Sequence, residues 1–182
     1  MTIIPDTKDW TWVLSAPCLE CGYDAATIAP EDVSDRLEDY AVAWQEVLGQ
    51  STVRDRPAPD VWSPLEYGCH VRDACQIYDE RLRLMLTEDG PSYPNWDQDE
   101  TALAARYREQ EPETVAAELH AAAATLAARF AGVTGTEWDR TGYRSDGAEF
   151  TVDTFSRYFL HDIVHHLHDV GAGNSRSTSW GA

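Results

Sequence analysis

Lysine is nearly absent: Lys8 is the only one, beside thirteen arginines, and these fourteen basic residues face 32 aspartates and glutamates for a formal net charge of −18. A surface this acidic repels phosphate backbones and anionic lipid, which argues against nucleic-acid and membrane-surface partners and leaves small molecules as the expected ones. Long apolar runs are missing too, and no stretch approaches the roughly 18 residues that a membrane span needs. Met1 to Asp9 carries Pro5, Asp6 and Asp9 and has no basic segment followed by an apolar one, so no signal peptide is expected. A cytoplasmic, reducing setting follows as the expectation. The four cysteines, Cys18, Cys21, Cys69 and Cys75, then read as thiols or metal ligands before disulfides. Internal repeats and strand-like alternation are also lacking.

What is present is an ordinary globular balance, 43% hydrophobic and 25% charged over 182 residues, enough for one domain with a sizeable core. Residues 1–30 hold three prolines and the two-cysteine motif and read as an irregular arm. Pro30, followed by Glu31 and Asp32, opens a helix through Val33, Leu37, Tyr40, Ala41, Trp44, Val47 and Leu48, stopping at Gly49. A second helix starts at Ser63-Pro64 with Glu66 completing a capping box, and runs to about Glu88 before Gly90-Pro91. A third spans roughly Ala102 to Gly132 with an interruption near Pro112. Residues 134–150 form a turn-rich connector with room for a short hairpin. The last helix begins at Thr151 or Val152 and stops at Gly171, leaving 173–182 as a small, polar, frayed tail. Four amphipathic helices over 31–172 predict an all-α four-helix bundle.

Four of the six histidines fall between His161 and His168. Successive helical residues turn about 100°, so His161 and His165 sit one turn apart on one face, the spacing that helical metal sites reuse. His165 and His168 are a competing pair, and His166, projecting about 100° to one side, is the expected outsider. Asp162 and Asp169 lie on that side, where they can orient a ring. A third ligand must come from elsewhere, and His70 is the candidate. It shares the inward face of the second helix with Tyr67, Ala74, Ile77 and Tyr78, and an inward histidine needs a partner. Read blandly, His70 is a hydrogen-bonded core residue and the last helix a solvated one. His120, with no histidine neighbour, reads as surface or core.

Trp62-Ser63-Pro64 followed by His70, and Phe159-Leu160-His161-Asp162-Ile163-Val164-His165-His166, resemble the second-helix and last-helix motifs of the DinB-like superfamily. The resemblance covers roughly residues 32–171. It implies a four-helix bundle carrying a divalent metal, often zinc or nickel, on three histidines: His70, His161 and His165. It also implies an enzyme that activates a low-molecular-weight thiol such as mycothiol for S-transfer or isomerisation of a small electrophile. From the residues themselves, Asp162 as a proton acceptor or a brace for a ligand histidine, and Tyr67 as a pocket wall or hydrogen-bond donor, are the candidate catalytic side chains. A hydrolase using metal-bound water, or a non-catalytic metal- or ligand-binding stress or redox protein, are the other readings. Bundles of this kind often pair, and a homodimer is compatible with the sequence. Leu167-His168-Asp169 stands where many relatives have Arg-Gly-Gln.

Cys18-Leu19-Glu20-Cys21-Gly22 has the spacing and trailing glycine of a zinc knuckle, but no second such pair exists because Cys69 and Cys75 are six apart on a helix. The two thiols read as packing groups, an unusual zinc site or a redox pair.

Overall fold

A computed structural model of the chain describes residue 3 and residues 8–173, so the tail expected at 174–182 and parts of the first seven residues lie outside the described residues. The helices are α1 (Val33–Leu48), α2 (Pro64–Thr87), α3 (Gln98–Ala104), α4 (Pro112–Ala131) and α5 (Val152–Asp169). α1, α2, α4 and α5 are the bundle, with α4 packed most extensively, against both α1 and α2. No helix among the described residues is long and apolar enough to cross a membrane.

Local chemistry sets the helix starts. At α2 the Ser63 side chain accepts from the Glu66 backbone and Glu66 accepts from the Ser63 backbone, both halves of the expected capping box. Arg56 pairs with the buried Glu66 carboxylate, with Nε donating to Oε2 at 2.9 Å, so this cap is charge-compensated. At α5 the Thr151 side chain accepts from the Thr154 backbone. Gly68 lets α1 and α2 approach closely, since a Cβ there would meet Leu48 Cδ2 at 2.7 Å.

Two features differ from the sequence expectation. The third helix is two: α3 starts at Gln98, capped by Asp97, and ends before Arg106, whose φ of 51° is left-handed. A short 3-10 turn at Tyr107–Glu109 then leads to Pro112, the first residue of α4. The connector does contain a hairpin, β2 (Thr141–Arg144) with β3 (Glu149–Thr151), but β1 (Ser92–Tyr93) joins it in parallel to make a three-stranded sheet. Strands of two to four residues are too short for an alternating pattern to show.

The core fixes the rotation of α5. Tyr78 on α2 stacks on Phe155 and Phe159 of α5, each with ring centroids 4.5 Å apart. Burying such rings contributes on the order of 2–3 kcal/mol apiece, so the register is strongly held. Asp162 and His166 continue that face at helical spacing, and therefore look toward α2 and His70. His161 and His165 lie about 100° round the helix. They look instead toward the arm, where the Tyr23 hydroxyl donates to the Arg157 carbonyl at 2.7 Å and Arg157 Nη1 donates to the Ala25 carbonyl at 2.7 Å.

Candidate functional site

The histidines of α5 divide between two clusters. On the α2 side, ligand atoms of His70, Asp162 and His166 all lie within 4.8 Å of one another. His70 Nε2 is 3.4 Å from Asp162 Oδ2, and His166 Nε2 is 3.5 Å from Asp162 Oδ1. Neither ring nitrogen of His70 has a hydrogen-bond partner among the described residues, although the side chain is 2% exposed. A buried imidazole without partners is costly. The spacing offers a remedy. Ligand atoms about 2.0–2.1 Å from a tetrahedral ion stand about 3.3–3.4 Å apart. The trio thus fits a divalent cation with three protein ligands.

On the arm side, ligand atoms of Cys18, Cys21, His161 and His165 also lie within 4.8 Å of one another. The expected trio of His70, His161 and His165 lines one cavity, but among the described residues no group with ligand atoms within 4.8 Å of one another contains all three. The pair Asp162 and His166 has the same one-turn spacing as His161 and His165. What distinguishes it is continuity with Phe155 and Phe159, a signal present in the sequence.

That cavity, of about 820 Å³, is lined by the α2-side trio with Trp62, Tyr67, Arg81, Trp96, Arg144 and Tyr158, and it reaches His161, His165 and Trp10 on the arm side. Trp96 stacks on His70 at 5.1 Å with an interplanar angle of 6°, Trp62 flanks the same ring at 5.5 Å, and Tyr67 lies 4.9 Å from the His166 ring. These aromatic contacts hold the imidazoles in place and keep bulk water off their outer faces.

Charge at this site is unevenly distributed. Burial pushes the Asp162 carboxyl up, but His166 and His70 outweigh it and hold it well below the usual carboxylate range. Burial pushes His166 down, yet Asp162 and Asp169 outweigh that and raise it to about 9. His70 is shifted down, chiefly by burial. On the arm side burial, then His165, pushes His161 down to about 4. Burial pushes the Cys21 thiol up to about 12, which disfavours a reactive thiolate in the metal-free chain.

Asp169 touches both clusters. Its Oδ2 accepts from His166 Nδ1 at 3.0 Å, leaving His166 Nε2 directed at Asp162, while its Oδ1 lies 3.8 Å from His165 Nε2. A carboxylate on the far nitrogen fixes a ligand histidine's tautomer and raises its basicity. Asp169→Asn is expected to weaken divalent-metal binding at the trio by about 10–100-fold with little change in helix content, measured by calorimetric titration against circular dichroism. Unchanged affinity would remove this role.

Other expected or alternative residues stand apart. Cys69 Sγ faces the Tyr107 carbonyl at 3.8 Å and Gln110 at 3.6 Å, away from both clusters. Cys75 is buried in the core, and His120 is exposed on α4. Trp10 of the arm lies over His161 and His165, with centroids at 5.3 and 4.7 Å.

A sequence model of the DinB superfamily matches residues 34–170. Among curated proteins nothing matches. Among solved structures, YfiT from Bacillus subtilis, described as a probable metal-dependent hydrolase with an unusual four-helix bundle topology, is similar at a TM-score of 0.70 and 18% identity. The match covers 80% of this chain and 88% of YfiT, and shows the fold.

Proposed function

The chain belongs to the DinB superfamily, and from that premise we propose that it is a metal-dependent enzyme whose divalent ion, zinc or nickel, is held by His70, Asp162 and His166. The observation that carries this reading is the buried His70 ring, which makes no well-formed hydrogen bond and whose Nε2 stands 3.4 Å from the Asp162 carboxylate that His166 also faces in the cavity wall. Three protein ligands, of which one is anionic, leave a cationic centre with a position to spare, the arrangement of a catalytic site. When bound, the ion lowers the pKa of a thiol or water beside it and makes it a nucleophile at neutral pH.

The chain's own groups then select and hold the electrophile. Arg81 is buried, and its Nη2 donates to the Pro94 carbonyl at 2.8 Å while the guanidinium lies over Tyr93 at 4.9 Å. Among the described residues it has no carboxylate partner, so its charge is available to an anionic substituent on the substrate. Arg144, by contrast, is paired with Asp146 at 2.9 Å and stays close to Tyr158. Asp162 contacts both imidazoles, and its side chain is 33% exposed. In that place it acts as a ligand, while the cavity-lining Tyr67 braces His166.

A cavity of about 820 Å³ is larger than a water nucleophile requires and suits a low-molecular-weight thiol such as mycothiol beside a small electrophile. The test is an assay of the metal-loaded chain with thiols and small anionic electrophiles, with and without chelation. S-transfer or isomerisation that needs both the metal and the thiol is the expected result. Metal-dependent turnover without any thiol would transfer the assignment to hydrolysis, the activity attributed to YfiT. Turnover unaffected by chelation would overturn both.

A further inference from the structure

We propose that Cys18, Cys21, His161 and His165 form a second, structural metal centre, for zinc, that clasps the arm to α5. This centre shares no ligand with the proposed cavity ion and does not rest on the chemistry assigned there, although His161 and His165 also line that cavity. Its ligand set was only half visible in sequence, because a two-cysteine knuckle normally needs a second cysteine or histidine pair nearby in the chain. Here the second pair is 140 residues downstream and is delivered by the fold.

Four observations converge. The first is composition and spacing: two sulfurs and two imidazole nitrogens lie within 4.8 Å of one another. Cys18 Sγ stands 3.7 Å from His165 Nδ1. A tetrahedral zinc with bonds of about 2.3 Å to sulfur and 2.0–2.1 Å to nitrogen sets those atoms about 3.6 Å apart. The second is an orphan: His161 Nε2 is buried and has no hydrogen-bond partner among the described residues. An ion supplies the partner that the protein does not.

The third is the turn. Gly22 has φ of 76°, left-handed and natural for glycine, and its N–H donates to the Cys18 carbonyl at 2.8 Å. Cys18 N–H in turn donates to the Tyr23 carbonyl at 2.8 Å. The two bonds close a tight loop that holds Cys18 and Cys21 near each other. The fourth is support for a ligand. With Nδ1 toward Cys18, His165 Nε2 faces Glu20 Oε2 at 3.5 Å and Asp169 Oδ1 at 3.8 Å, carboxylates placed as they are behind metal-bound histidines.

Charge balance separates this centre from the first. Two thiolates cancel the charge of a divalent ion, so the complex is neutral and suited to burial under Trp10. Four protein ligands close the tetrahedron and leave no position for substrate, the mark of a structural site. Tetrahedral S2N2 sets select zinc over magnesium or calcium. By tying residues 18 and 21 to 161 and 165, the ion fixes the arm on the α5 face about 100° round from Asp162 and His166.

The test is cobalt substitution of the full chain. A cobalt-loaded protein is expected to show thiolate-to-cobalt charge-transfer absorption in the near ultraviolet and strong tetrahedral d–d bands in the visible. The charge-transfer band is lost in Cys18→Ser/Cys21→Ser and kept in His166→Ala, whereas d–d absorption from the cavity ion persists in the cysteine variant. Zinc content falls by one equivalent per chain in the double serine variant. The wild-type cobalt spectrum decides the matter alone should that variant fail to fold. Absence of thiolate bands in the wild type, their persistence without the cysteines, or a chain lighter by two hydrogens from a Cys18–Cys21 disulfide would each overturn the proposal.

Discussion

His166→Ala is expected to lower divalent-metal affinity at the cavity site by more than about 100-fold and to abolish turnover, while His165→Ala leaves the cavity ion in place. The magnitude follows from the ligand role. Altering a carboxylate that merely braces a ligand histidine already costs about 10–100-fold, and deleting the ligand itself must cost more. The direction follows from α5. Phe155 and Phe159 are pinned by Tyr78, and Asp162 and His166 continue their face toward His70. His165 points at Cys18 instead. Calorimetric titration of the two variants with zinc or nickel, alongside an activity assay, separates the cases. Loss of the cavity ion in His165→Ala with retention in His166→Ala would restore the ligand set that the family resemblance implied.

The second large effect is on stability. Trp44 on α1 is fully buried in the core. Trp44→Ala is expected to cost about 4 kcal/mol, the sum of lost transfer energy and an incompletely collapsed cavity. For a domain of this size that lowers Tm by about 8–16 °C. The indole Nε1 is buried with no hydrogen-bond partner among the described residues, so the native tryptophan already carries a desolvation penalty. Trp44→Phe should therefore cost much less than its change in volume suggests, under about 2 kcal/mol. Chemical denaturation followed by circular dichroism measures both. A phenylalanine variant as unstable as the alanine one would show that the indole N–H is satisfied in solution.

The bundle was legible because its signals are local. Ser63-Pro64 with Glu66 marks the start of α2, and the spacing from Val33 to Leu48 marks α1, without reference to the rest of the chain. The division of α3 from α4 was half legible: Pro112 announced the restart, but the left-handed Arg106 carried no warning. The strand Ser92–Tyr93 was invisible, being two residues held by a partner some fifty positions away.

The histidine clusters were legible in kind and less so in detail. A histidine-rich last helix and an inward His70 point to candidate metal ligands, but Asp162, His165 and His166 differ only by rotation about one helix axis. Which of them faces α2 is settled by the aromatic packing, a tertiary fact with a sequence trace in Phe155 and Phe159. Cys18 and Cys21 carried the spacing of a zinc knuckle, but the partners proposed for them had no such trace, because they lie at the opposite end of the chain.

The central claim is that one helix serves two metal centres, so the most direct measurement is metal content per chain by elemental analysis of the reconstituted wild type, His166→Ala and Cys18→Ser/Cys21→Ser. The account predicts two equivalents in the wild type and one in each variant, with the cysteines needed only for the ion that His166→Ala retains. A single equivalent in the wild type, lost equally in both variants, would contradict it.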